Sequence, residues 1–172
     1  YMKSGQLMRQ VINKISEVDF NSLTERQHFG DLYEQLLNDL QNAGNAGEYY
    51  TPRAVTSFMV QQLDPRPGEI LMDPACGTGG FLTCAIEHVR KKDVKTVDDE
   101  TTLQHSIHGI EKKPLPHLLC TTNMILHGID VPSQIEHKNT LGVGWNDWSA
   151  NEKVDCIVTN PPFKLADEFI RH

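Results

Sequence analysis

Two short stretches carry residue types suited to chemistry at a chain turn: Asp73-Pro74-Ala75-Cys76-Gly77-Thr78-Gly79-Gly80 and Asn160-Pro161-Pro162-Phe163. In the first, glycines at 77 and 79 let the backbone approach a ligand with no β-carbon in the way, and Gly80 is expected to help the next helix pack closely. In the second, consecutive prolines remove donors and stiffen the turn, so the Asn160 side-chain oxygen and the Pro161 carbonyl become pre-placed acceptors. An exocyclic amine conjugated to an aromatic ring is a poor nucleophile because its lone pair is delocalised. Two acceptors aimed at its hydrogens favour a pyramidal nitrogen and free that lone pair for attack on a sulfonium methyl. Phe163 would stack on the base, which in a duplex must first be flipped out.

The ligand of the glycine turn follows by contrast. A dinucleotide fingerprint needs a third glycine where Leu82 stands, and the Asp73 carboxylate would repel a pyrophosphate. The same carboxylate suits an α-ammonium group. A ligand with an amino-acid end is therefore the better match, and S-adenosylmethionine (SAM) has both that end and a ribose. Glu111, expected at the end of the next strand, is placed to accept from both ribose hydroxyls.

The elements that must position these residues are readable from periodicity. Apolar residues at Leu7, Met8, Val11, Ile12, Ile15 and Val18 predict an amphipathic helix, and a second is predicted from Glu25 to Leu40. Gly and Asn break the pattern over 41–47. Thr51 then reads as an N-cap and Pro52 as the first residue of a helix running to Leu63. From Glu69 the texture becomes strand, glycine turn, helix. Residues 91–100 lack periodicity and read as a solvated excursion, with a short helical lead-in at 101–103. Strands are then predicted at SIHGIE, QIEHKNTL and VDCIVTN, with a helix over 114–128 between the first two. Alternating strands and helices predict an α/β fold, a parallel sheet with helices on both faces. Asp73, Glu111, Asn139 and Asn160 would all lie at the carboxyl ends of its strands, where such sheets bind ligands.

Composition narrows the function classes. At 172 residues, 38% hydrophobic and 23% charged, the chain fits one folded core and neither a disordered nor a collagen-like class. No apolar run approaches the ~20 residues of a membrane span, and no leader opens the chain, so a cytoplasmic location without a membrane partner is expected. Cys76, Cys84, Cys120 and Cys156 form no Cys-x-x-Cys pair and read as reduced, buried thiols. None follows a proline, which disfavours covalent cytosine-ring methylation. His105 with His108, and His117 with Cys120, lack a third ligand at recognisable spacing, so no metal is expected. Trp145 and Trp148 read as anchors of a loop. A balance of 16 basic against 23 acidic residues, net −7, argues against a chain that alone grips a phosphate backbone.

GEYYTPRAV, DPACGTGGFL, the strand-end Glu111 and NPPF, in that order, resemble the amino-methylating DNA methyltransferases, and most closely the methylase subunits of type I restriction-modification systems. The likeness runs from about Leu7 through NPPF. It implies a Rossmann-like SAM-dependent methyltransferase sheet, adenine as target, and action on double-stranded DNA inside a multisubunit complex. Partners implied are a specificity subunit that reads the sequence and a restriction subunit. By the same likeness, Glu48, Tyr49, Tyr50, Thr51, Pro52 and Arg53 close over the methionine end of SAM. Ala75, Gly77, Thr78 and Gly79 lie beneath it, with Asp73 and Glu111 as polar anchors. Asn139 and Thr140 sit near its adenine ring, and Asn160, Pro161, Pro162 and Phe163 form the catalytic turn. A helical segment over 1–46 and a catalytic core over 47–172 are expected. The core should be incomplete after the NPPF strand, since family members are longer. Two rivals share parts of this pattern: methylation of a glutamine amide in protein, and a non-catalytic scaffold related to the methylase subunit.

Overall fold

The structure, a computed structural model, describes residues 4–17, 19, 22, 26, 28–30, 32–33, 35–37, 51–149 and 152–162. The expected segment Glu48 to Tyr50, the break at 41–47, and Phe163 lie outside the described residues. Among the described residues, four short strands form the sheet: β1 (Leu71–Asp73), β2 (Ile107–Ile110), β3 (Ile135–Glu136) and β4 (Cys156–Ile157). All pairings are parallel and the order is β3-β2-β1-β4. The chain thus proceeds outward from β1 to β3, then returns to place β4 on the other side of β1. That reversal puts a crevice between the carboxyl ends of β1 and β4.

Register explains which side chains make the core. Leu71 pairs with Ile107 and Cys156, and Asp73 with Gly109, which in turn pairs with Ile135. Leu71, Ile107, Asp73 and Ile135 are all buried. The alternate row, Ile157, Met72 and His108, points to the opposite face. It is half-buried at Met72 and His108 and 58% exposed at Ile157. Among the described residues, then, one face of the sheet is well covered and the other is open at β4.

Among the described residues, four helices join the strands or lead into them: α2 (Arg53–Leu63), α3 (Gly80–Lys92), α4 (Val97–Ser106) and α5 (Pro114–Leu126). The central helix is α3, whose Phe81, Leu82, Cys84, Ala85, Ile86 and Val89 are all buried. Burying side chains the size of Leu82 or Ile86 contributes roughly 1.5 to 3 kcal/mol each, enough to make this helix the reference body for its neighbours. Thr56 and Val60 of α2 are buried, and the Thr56 hydroxyl lies 3.2 Å from Cys84 Sγ.

Two sequence expectations change here. The excursion over 91–100 contains the start of α4, closed by a capping box in which Thr96 and Asp99 bond to each other's backbone N–H. Asp98, Asp99 and Glu100 then occupy the first turn, where negative charge complements the helix dipole. Cys156 is half-buried rather than buried, because it sits on the outer strand.

The amino-terminal helix α1 (Gly5–Ser16) forms where periodicity places it, yet it buries no residue. Its Leu7, Met8, Val11, Ile12 and Ile15 are 42–56% exposed. Described positions between 26 and 37 are helical and touch α5 and the loop after it: the Tyr33 hydroxyl donates to the Leu119 carbonyl at 3.1 Å, and Arg26 pairs with Asp130. No helix among the described residues is long and apolar enough to cross a membrane.

Candidate active site

Because every strand is parallel, the expected residues gather at one sheet edge. Asp73 ends β1, Glu111 follows β2 directly, Asn139 lies three residues past β3 and Asn160 three past β4. With β1 between β2 and β4, the glycine turn is central, flanked by Glu111 on one side and Asn160 on the other. Neighbouring strands are about 4.8 Å apart, so these flanking groups stand roughly 10 Å from each other at the strand ends.

The glycine turn is locked from beneath. Cys76 N–H donates to the Ile110 carbonyl at 3.0 Å, and Gly79 N–H to the Cys76 carbonyl at 2.8 Å. Gly79 has φ +89°, and a β-carbon there would meet Cys120 Sγ at 2.9 Å and Met124 Cε at 3.1 Å. Glycine is therefore required at 79 for both backbone conformation and packing against α5. Gly80, expected to be the packing glycine, meets only Thr56 Cγ2 at 4.0 Å. Gly77 has φ +56°, and a β-carbon on it would find no heavy atom within 4 Å. The turn thus presents bare backbone to open space at 77 and a packed surface at 79.

Carboxylates complete the turn. Asp73 is 1% exposed and takes the Ala75 N–H on Oδ1 at 3.0 Å. Burial raises its pKa from 3.8 to about 6, against the lowering effect of the facing Thr159 hydroxyl and the Ala75 N–H, while the Glu111 charge pushes it further up. Asp73 therefore sits under the turn rather than at an open mouth. Glu111 is half-buried and accepts from Gly77 N–H at 3.0 Å and from Lys113 N–H at 2.7 Å, so its carboxylate spans the ends of the first and second crossovers. Cys76 Sγ lies 3.7 Å from Cys120 Sγ, and that bond together with burial pushes the Cys76 thiol up, keeping it neutral.

The remaining expected residues divide by location. Thr140 Oγ1 donates to the Pro74 carbonyl at 2.6 Å, tying the loop after β3 to the glycine turn. Asn139 caps the short 3-10 turn that Thr140 opens, accepting from Leu141 N–H at 3.3 Å. Thr78 is held through its carbonyl by Asn123 Nδ2 at 3.1 Å. Arg53 reaches away along α3 to Glu87 at 2.6 Å. Pro52, expected inside the helix, is instead the N-cap of α2 and makes no side-chain cap bond. Thr51 is not the cap; its hydroxyl accepts from Asn160 Nδ2 at 2.9 Å. Pro161 and Pro162 are exposed. The histidines weighed as ligands are engaged by carbonyls, His108 with His105 and His117 with Ile135.

Two contributors escaped the sequence reading. A β-carbon on Gly109 would come within 2.9 Å of Leu82 Cδ1 and 3.1 Å of Cys76 Sγ, so this strand glycine lets the turn settle onto β2. Asn123, 2% exposed on α5, supports Thr78 while its Oδ1 has no partner among the described residues. Neither carries a motif signal, since each is needed only once distant elements pack.

The arrangement offers a ligand bare backbone facing open space at Gly77, a carboxylate at Glu111, and an amide acceptor at Asn160 across the crevice. Comparison with known proteins bears on what uses such a layout. The N-6 DNA methylase family matches residues 24–170. The EcoEI type I restriction enzyme methylase subunit of Escherichia coli is 64% identical over 168 residues, which are 98% of this chain and 34% of that subunit. The EcoKI methylase subunit of Escherichia coli strain K12 is 34% identical over 151 residues, 82% of this chain and 28% of its own length. Among solved structures, a chain from a study of complex assembly and conformational transition of the type I R-M system has TM-score 0.84 at 41% identity, covering 94% of this chain and 33% of that one. The chain thus spans about a third or less of the length of the curated relatives it matches. With most of its length matched, this chain belongs to the N-6 DNA methylase family.

Proposed function

We propose that this chain is the SAM-binding and catalytic core of an adenine-specific DNA methyltransferase, the modification subunit of a type I restriction-modification complex. The observation that carries the reading is the placement of the glycine turn and Asn160 on opposite lips of the β1/β4 crevice, with Glu111 beside the turn. The residues present fit SAM: Gly77 leaves bare backbone facing open space, and Glu111 stands half-buried at its side. When bound, SAM supplies an electrophilic methyl on sulfur. Glu111 would exchange its bond from Gly77 N–H for the ribose hydroxyls, and Asp73 would hold the turn and bias it electrostatically toward a cationic amino end.

Asn160 Oδ1 and the Pro161 carbonyl accept from the adenine amine, drawing its lone pair out of conjugation and toward the methyl. Both acceptors are fixed before the amine arrives, so little reorganisation is needed during transfer. Phe163 stacks on the flipped base, and stacking of this kind is worth about 1 to 3 kcal/mol. The net charge of −7 supports a division of labour in which a specificity subunit supplies the basic grip on duplex DNA and a restriction subunit completes the complex. Its working place would be the cytoplasm, beside the DNA.

Mass spectrometry of nucleosides from cells with and without the gene tests this reading. N6-methyladenine at a defined sequence should disappear with the gene. Unchanged adenine methylation, or label from SAM recovered on a protein glutamine instead, would refute it.

A further inference from the structure

We propose that Thr51 is a positioning residue for the Asn160 amide, an inference that rests on the methyltransferase reading above. Pro161 and Pro162 stiffen the backbone after Asn160, but they leave the two side-chain torsions of Asn160 free. An acceptor that must meet a target amine needs those torsions fixed as well. Asn160 Nδ2 donates to Thr51 Oγ1 at 2.9 Å, across 109 positions of sequence, and both residues are half-buried. With Nδ2 engaged, Oδ1 keeps its lone pairs for the amine.

Thr51 is well placed to serve as the fixed end of this tether. Its hydroxyl does not cap its own helix, because Pro52 is the N-cap. Pro52 restricts Thr51 to extended backbone, and α2 behind it is pinned to α3 by the Arg53–Glu87 pair at 2.6 Å and the Thr56–Cys84 contact at 3.2 Å. The same helix α3 begins at Gly80, immediately after the glycine turn. Both lips of the crevice are therefore referenced to one buried helix, the first directly and the second through α2, Thr51 and Asn160. The role differs from the one suggested by resemblance, in which Thr51 closes over the cofactor.

Single-turnover methyl transfer by the assembled methylase at saturating SAM and duplex DNA separates the two roles. Thr51→Val should slow transfer about tenfold to hundredfold, the range expected when a reacting group is displaced by a fraction of an ångström to an ångström. Its calorimetric Kd for SAM should change by less than about twofold, and Thr51→Ser, which restores the hydroxyl, should recover most of the rate. If the valine variant fails to fold, Thr51→Ala carries the same expectation. A wild-type rate in the hydroxyl-free variant, a loss confined to SAM affinity, or failure of serine to rescue would overturn the assignment. Absence of N6-methyladenine with the wild-type assembly would instead refute the function on which the assignment rests.

Discussion

The segment from Asp73 to Gly80 is held by a backbone bond to Ile110, by the Glu111 carboxylate, by Asn123 and by close contact with α5. The segment from Val158 to Pro162 joins the sheet through Val158 N–H on the Met72 carbonyl and reaches α2 through Asn160 on Thr51. Both are turns at the carboxyl end of a parallel strand, one strand apart. The first is part of the core, and the second is attached to it. Substitutions in the first should therefore alter the stability of the fold together with cofactor binding, whereas those in the second should damage transfer and leave the fold intact.

Gly79→Ala should give the largest loss of stability. A left-handed φ for a residue with a β-carbon costs about 1 to 2 kcal/mol and forced overpacking about 1 to 3, so roughly 2 to 5 kcal/mol should be lost in denaturant unfolding. An unchanged midpoint would mean the turn does not pack on α5 as described.

Asp73→Asn sharpens the comparison with a gain. The Asp73 carboxyl titrates near 6 in the fold and near 3.8 unfolded. A raised carboxyl pKa favours the protonated fold, so the contribution is fully present below about pH 4 and is lost as pH rises through about 6. At pH 8 the buried charge costs on the order of 2 to 3 kcal/mol. Asparagine keeps an acceptor for Ala75 N–H and removes the charge. The variant should thus exceed wild type in stability at pH 8, by a margin that shrinks toward pH 4. A margin independent of pH, measured by urea unfolding, would place the charge elsewhere.

Glu111→Gln should have a smaller effect on stability and a direct one on binding. Losing hydrogen bonds to a charged acceptor costs about 1 to 3 kcal/mol, and SAM calorimetry should register it. Unaltered SAM affinity would detach Glu111 from the cofactor.

How much of this was legible depended on where each constraint originates. Gly77, Gly79 and Asn160 stood out because a strand-end turn that approaches a ligand demands those residue types in the chain itself. The shared strand-end placement of Asp73, Glu111, Asn139 and Asn160 was legible because each closes a strand-like run, while the strand order β3-β2-β1-β4 is set by packing. Helix α4 was hidden because only Leu103 and Ser106 of it are buried, too few to set a period, and its signal lay in the Thr96/Asp99 box. Gly109 and Asn123 were illegible for a different reason: Leu82, Cys76 and the Thr78 carbonyl reach them from other elements. Thr51 shows tertiary structure overriding a local rule, since a hydroxyl before Pro52 reads as a cap until Asn160 is folded beside it. The apolar stripe of α1 was legible as a pattern, but the pattern alone did not say what it packs against.

Asn160 is proposed to act upon the target amine and not upon the cofactor. Single-turnover transfer from labelled SAM to an adenine-containing duplex, run on Asn160→Ala beside calorimetry of SAM binding, tests this most directly. Loss of a pre-placed polar partner for the reacting group should slow transfer by about a hundredfold or more, with the SAM Kd within about twofold of wild type. A wild-type transfer rate in Asn160→Ala, or a rate loss fully matched by lost SAM affinity, would contradict the account.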